Sequence, residues 1–283
     1  MRKTEIIIFS KNRTLQLKSL LLSLKDNSDI REEWINIIYI EDINISYKSL
    51  IDQFNCNFVL QTDFLSDLTN IINNSKSNYV LFMVDDLIFR DGFRLKEIEK
   101  FMDKYKDVDC FSLRLGKNIK DAGKTDFSIR DGSILVWDTS YKLGYAWKYF
   151  WEVSSSIYRI EHVVKYLNKC NVRKISFPNP FESHYYSCMP SCIGNGLLRI
   201  ANALRFFNKG KSNKMACFEK SRCFAQGINI VADINANYKA HLGPLELHRK
   251  MEEGYIIDYK RLKNVSNKWP NVGSEYLQLI KKN

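Results

Sequence analysis

What the sequence lacks narrows the field first. No apolar run approaches the ~20 residues needed to span a bilayer. The apolar stretch at 6–9 is far too short for a signal-peptide core, so a cytosolic chain is expected. There is no zinc-finger, RNA-recognition or helix-turn-helix signature, and nucleic acid is not expected as a partner. The seven cysteines, an odd number scattered over positions 56–223, include no CxxC knuckle and read as reduced thiols rather than a disulfide framework. Cys188, Cys192, Cys217 and Cys223 with His184 form the alternative, a zinc site, less favoured than ordinary buried thiols. The first loop, Ser10 to Arg13, contains no glycine, which argues against the dinucleotide-binding fingerprint and hence against an ordinary dehydrogenase. Internal repeats and low-complexity linkers are also missing.

What is present is a globular composition. The 283 residues are 45% hydrophobic and 13% aromatic, enough for one large α/β domain with appendages or for two small domains. A formal net charge of +11 calls for an anionic partner such as phosphorylated substrates or an acidic membrane surface.

The pattern is organised around Tyr79–Val84 (YVLFMV), an apolar run without alternation that must be covered on both faces, as in a central parallel strand. It stops on Asp85 and Asp86. Ligands of open α/β sheets sit beyond the carboxyl ends of the strands, so two hard-oxygen carboxylates there suit Mg²⁺ or Mn²⁺. Capping of the next segment is the bland alternative. Before this strand, 5–9 (EIIIF) reads as a first strand, followed by the loop Ser10-Lys11-Asn12-Arg13 and a leucine-rich helix over 14–24. A second strand, Ile35–Ile40, ends at Glu41 and Asp42, and a third over 57–61 ends at Thr62 and Asp63 before a helix over 65–72. Strands alternating with helices at short spacing call for a parallel sheet with right-handed crossovers.

After Asp86 the rhythm changes. A helix is expected over 93–105, short strands over 109–115 and 133–137, and between them a polar loop, 117–131, of a length that often serves as a lid or acceptor-binding segment. The aromatic stretch 145–151 (YAWKYFW) suits either sugar stacking or a packed core. The segment Asn179-Pro180-Phe181-Glu182 reads as a helix start with a capping box, Asn179 as N-cap and Glu182 closing it. Segment 197–207 (LLRIANALRFF), with Lys209, Lys211 and Lys214 after it, suits an anionic membrane surface or, more simply, packing on the main domain. Residues 245–282 look helical and charged, with an extended piece at 255–259 between two helical stretches.

With these residues in view, the chain resembles the GT-A glycosyltransferases, and within them the inverting family-2-like enzymes that build bacterial surface polysaccharides. The resemblance rests on EIIIFSKNRTLQLKSLLLSL, on YVLFMVDD at the family's metal motif, on FSLRLGKN after it, and on SSSIYR followed by NPFE. It covers about the first 190 residues, and more weakly 215–231. It implies a Rossmann-like, mainly parallel sheet flanked by helices, with a nucleotide half at 1–90, an acceptor half at 91–190, and a mostly helical extension over 191–283 packed on it. It also implies a nucleotide-sugar donor, most readily a UDP-sugar, and a glycan or lipid-linked acceptor, with the chain cytoplasmic or peripheral at the inner face of the plasma membrane.

The resemblance further assigns Ser10, Lys11, Asn12 and Arg13 to nucleotide contacts, Glu41 and Asp42 to the base or ribose, and Thr62 and Asp63 to the same pocket. Val84 stands at the first position of the acidic metal motif, which leaves Asp86 as the expected Mn²⁺ or Mg²⁺ ligand and Asp85 as a sugar contact or second ligand. The family's catalytic base is an acidic residue at the start of a later helix; Glu182 fits, with Glu161 as fallback and Asp138 as a more distant one. The rival expectations are a sugar nucleotidyltransferase, which would normally open with a glycine-rich phosphate loop, and a catalytically degenerate domain that binds carbohydrate or acts as a scaffold.

Overall fold

The uninterrupted apolar run becomes a central strand because neither of its faces can meet water. In the computed structural model, which describes residues 3–139, 143–169, 175–188, 213–229 and 242–282, this strand is β4 (Tyr79–Val84), buried throughout except at Val84. β1 (Thr4–Lys11) pairs parallel to β4 on one side and to β2 (Ile35–Ile40) on the other, and β3 (Asn57–Leu60) extends this edge, also parallel. Beyond β4 come β9 (Ser156–Arg159), β6 (Cys110–Ser112), β10 (Lys214–Phe218), β8 (Ile134–Asp138) and β7 (Ser128–Arg130), completing a nine-stranded sheet. Only β9 and β8 run against the other strands. The fold is therefore α/β with a mostly parallel central sheet, as the sequence leads one to expect.

Alternation along β1 divides the interior. Ile6 and Ile8 join the leucines of α1 (Thr14–Asn27), Leu50 of α2 (Lys48–Gln53) and the apolar faces of α4 (Leu95–Lys104) and α8 (Pro244–Glu252). Ile7 and Phe9 face the other layer, built from α3 (Phe64–Asn74), α5 (Tyr145–Lys148), α6 (Ile160–Lys169) and α7 (Pro178–Cys188). The aromatic stretch near 150 belongs to this second layer. Trp151 is fully buried and stacks on Tyr185 with ring centroids 4.5 Å apart. Of the two uses open to these rings, Trp147, Phe150 and Trp151 serve as core.

One departure concerns local geometry. The described part of 242–282 is not a pair of helices: after α8 come β12 (Tyr255–Ile257), β13 (Asn271–Val272) and β14 (Leu279–Lys281), with 3-10 turns between them. Pro270 and Gly273 interrupt any helix there, and β-branched Val265 and Val272 favour extended backbone. The start of the loop at 117–131, expected as a lid or acceptor-binding segment, is bonded to later parts of the chain, with Lys117 N–H donating to Glu219 O at 2.9 Å and Asp121 N–H to Lys268 O at 2.9 Å.

Beyond residue 190, β10 enters the main sheet between β6 and β8. β11 (Cys223–Gln226) pairs with β13 and with β5 (Leu87–Phe89), the short strand that follows Asp86. Segment 197–207, Lys209, Lys211 and Cys192 lie outside the described residues. The described cysteines Cys56, Cys110, Cys217 and Cys223 are free thiols. Among the described residues no helix is long and apolar enough to cross a membrane.

Phe82 at the middle of β4 touches the rings of Phe9, Trp151, Tyr158 and Phe181. Its truncation in Phe82→Ala should cost about 3–5 kcal/mol, read as a lower urea midpoint with an unchanged denaturant slope.

Candidate functional site

Strand direction decides which residues can meet. β1, β2, β3, β4, β6 and β10 all end at one edge of the sheet, and antiparallel β9 begins there. That edge therefore collects Ser10 to Arg13, Glu41 and Asp42, Thr62 and Asp63, Asp85 and Asp86, the residue Arg114 just beyond β6, and the 152–155 segment that leads into β9. Glu161 and Asp138 follow or close the two antiparallel strands and so stand at the opposite edge. Glu161 is exposed on the first turn of α6, and Asp138 is paired in register with Lys214 at the start of β10. Neither fallback base reaches the site, because strand direction cannot be read from a local pattern.

The glycine-free first loop turns on Asn12, whose φ of 55° lies in the left-handed region that Asn tolerates. Asn12 also fixes the second strand's end: its side-chain amide donates to Asp42 Oδ2 at 2.5 Å, and its Oδ1 accepts from Asp42 N–H at 2.9 Å. Ser10 Oγ donates to Asp85 Oδ2 at 3.0 Å and lies 2.6 Å from the Tyr47 hydroxyl; Lys11 N–H donates to the same carboxylate oxygen at 3.1 Å. Lys11 Nζ has no hydrogen-bond or ion-pair partner among the described residues. Glu41 accepts from Tyr47 N–H at 2.9 Å. Asp63 caps α3 by accepting from Ser66 N–H at 2.8 Å, and Thr62 bonds to Asp67, so these two sit at the expected edge but serve the helix start.

Arg13 is the hub. Its Nη1 lies 3.0 Å from Asp85 Oδ1 and 3.1 Å from Asp86 Oδ2, with only 13% of the arginine side chain and 4% of the Asp85 side chain exposed. Its Nε donates to Asn229 Oδ1 at 2.9 Å and its Nη2 to the Asn229 carbonyl; Gln16 holds the same Asn229 oxygen at 3.1 Å. Burial works against the Arg13 cation, and the charges of Asp85 and Asp86 outweigh it. Burial also raises the proton affinity of Asp85, against the pull of Arg13. The only atom of the two carboxylates left without a partner is Asp86 Oδ1, which is itself inaccessible to solvent. Among the described residues no three His, Cys, Asp or Glu side chains stand together as a metal cluster. As arranged, the acidic pair does not fit a divalent ion: three of its four oxygens are occupied, two of them by a guanidinium.

A second group forms where β6 ends and β9 begins. Arg114 pairs with Glu152, which is 2% exposed and also accepts from Ser156 Oγ. Ser155 beside it adopts a φ of 77°, unusual for a residue with a side chain, while its N–H donates to Phe82 O at 2.8 Å. The segment after Arg114 is drawn in tightly at Gly116, where an added Cβ would lie 2.3 Å from Ser221 N.

Glu182 joins this group. α7 starts at Pro178, earlier than the capping box requires, so Glu182 falls inside the helix, and its Oε1 accepts from Val153 N–H at 2.6 Å instead of from the backbone of Asn179. Burial pushes its carboxyl up to about 7; the Val153 hydrogen bond and Arg114 oppose the rise and Glu152 adds to it. A half-buried carboxyl that changes charge near neutrality, at the ligand edge, can act as a general base.

Sequence reasoning missed Arg114, Glu152, Tyr47 and Asn229. Arg114 stands inside FSLRLGKN, and Glu152 directly follows the aromatic run, an acid where the pattern otherwise demands core. Those were the only signals available.

No family model matches the sequence. The chain is similar to the bifunctional glycosyltransferase pgtA of Dictyostelium discoideum, 30% identical over 210 residues that make up 62% of this chain and 27% of that protein. It thus spans about a quarter of the length of the curated relative it matches. Solved structures that resemble it include S. aureus TarS, at 15% identity and a TM-score of 0.46 over 80% of this chain and 36% of that one. S. aureus TarS 1-349 in complex with UDP-GlcNAc gives 13% identity and a TM-score of 0.43 over 80% of this chain and 58% of the other. By sequence, then, the chain is a relative of a glycosyltransferase.

Removing one charge of the hub tests its cohesion. Asp85→Asn leaves Arg13 with one carboxylate in a buried setting and should cost on the order of 3 kcal/mol, measurable as a lowered midpoint in equilibrium unfolding.

Proposed function

We propose that this chain is a glycosyltransferase that moves a sugar from a nucleotide-sugar donor, in the first instance a UDP-sugar, to a hydroxyl of a glycan or lipid-linked glycan by one inverting displacement. The observation that carries the reading is Glu182: a carboxyl raised to about 7, at the same sheet edge as the cationic loop Lys11 to Arg13. The sequence relationship to a glycosyltransferase supports it.

In this reading Ser10, Lys11, Asn12 and Arg13 face the nucleotide, with Glu41 and Asp42 toward base and ribose and Thr62 and Asp63 at the far rim. Asp85 and Asp86 shape the floor beneath the donor sugar. The acceptor hydroxyl forms its bond to the anomeric carbon as that carbon's bond to the diphosphate oxygen breaks. The electron pair leaves with the diphosphate, where Lys11 offers a cation, and the hydroxyl proton passes to Glu182. Attack from the face opposite the leaving group inverts the anomeric centre. A lipid-linked acceptor would be met at an anionic membrane surface, which suits a net charge of +11.

Glu182→Gln keeps the shape and the Val153 hydrogen bond but cannot take a proton. Its kcat should fall by ~10² to 10⁴ while donor affinity stays as in the parent chain, measured by transfer from labelled UDP-sugars and by calorimetry. A fully active variant would overturn the assignment.

The pH dependence has a fixed sign. The base must be ionised to work, and its carboxyl loses its proton at about 7. The kcat/KM should therefore rise as pH increases through 7 and fall below it, and Glu182→Gln should flatten that limb.

A further inference from the structure

The family resemblance calls for a divalent ion at Asp85 and Asp86, and the geometry there is built for something else. Arg13 Nη1 contacts one oxygen of each carboxylate, at 3.0 and 3.1 Å, the bridging position that a shared metal ion would take. The second oxygen of Asp85 already accepts from Ser10 Oγ and Lys11 N–H. The last oxygen, Asp86 Oδ1, is closed to solvent. Nor is Arg13 a surface side chain that has swung in. Asn229 holds it through both its side-chain oxygen and its carbonyl, Gln16 braces Asn229, and the guanidinium is largely buried.

We propose that Arg13, with Lys11 beside it, takes the place of the divalent cation, so that this chain binds its sugar nucleotide without a metal. The proposal rests on the nucleotide-sugar reading above. Charge conservation favours it. Two carboxylates and a divalent ion sum to zero, and so do two carboxylates, Arg13 and Lys11, all on adjacent strand ends. The two cations divide the work. Arg13 neutralises the floor, which would otherwise repel a diphosphate, and Lys11, whose Nζ has no partner among the described residues, is the charge available to the leaving group. A metal entering between the carboxylates would take the oxygens that Arg13 holds and leave its largely buried guanidinium, still tied to Asn229, without a counter-charge, which protein interiors strongly resist.

The test uses the full chain and two probes. Mn²⁺ alone is titrated by electron paramagnetic resonance, and UDP-, GDP-, CMP- and dTDP-sugars are screened by thermal shift and calorimetry, each with Mn²⁺ and with chelator. The expected result is no Mn²⁺ binding in the micromolar range and the same nucleotide affinity in chelator as in Mn²⁺. Arg13→Met should free the two carboxylates and tighten Mn²⁺ binding by about 10-fold or more, the scale on which a neighbouring cation shifts a carboxylate's affinity for a proton. If that variant does not fold, the titrations on the unaltered chain decide by themselves.

Nucleotide binding that appears only with Mn²⁺ would overturn the proposal, as would micromolar Mn²⁺ binding that Asp86→Asn abolishes. A chain that binds no sugar nucleotide in either condition would overturn the nucleotide-sugar reading instead. The Mn²⁺ titration would then still decide whether Arg13 holds the metal's place.

Discussion

One guanidinium joins the ends of the first and fourth strands at the ligand edge of the sheet. Arg13 sits just past the first strand and binds the two carboxylates that end the fourth strand, while Asn229, from a much later part of the chain, grips its other side. Remove that cation and the buried Asp85 faces the half-buried Asp86 without compensation, a situation that proteins avoid by protonation or by local unfolding. The tight turn at Asn12, the seat of Tyr47 and the path of the first loop all follow from satisfying this group.

The second group obeys a different rule. Arg114 and Glu152 are matched one to one, and Glu182 is the carboxyl left over, held by a backbone N–H and no cation of its own. An excess of one acid in a poorly hydrated place is what moves a carboxyl toward neutrality. The two groups thus separate the labours that displacement chemistry requires. One ties the ends of two strands together through a shared guanidinium. The other keeps a proton site that can change state.

Much of this was legible in the sequence, and the boundary between what was and was not is physical. Continuous apolar strands and leucine-rich helices announce themselves through burial, so β1 to β4 and α1 stand where their patterns put them. Asp85 and Asp86 were legible as strand-end acids. That Asp85 is bound to Arg13 was not, because nothing local says which distant cation a buried acid will choose. Strand direction was equally hidden: Glu161 and Asp138 are credible acids by type, and only the reversal of β9 and β8 carries them to the far edge. Glu182 read as a capping residue because NPFE has the right letters, yet Pro178 starts the helix earlier and turns the carboxyl toward Val153. Arg114 and Glu152 pair across two strands far apart in sequence, and no periodicity encodes such a partner.

The grip of Asn229 on Arg13 joins residues 216 positions apart. A ribosome releases the first loop and both acids long before it makes the asparagine that completes their anchor. During synthesis the nascent amino-terminal half therefore carries an unfinished ion cluster, and contacts of such sequence separation form late and slowly. The same span means that the first ninety residues taken alone would carry this cluster without the asparagine that holds its cation.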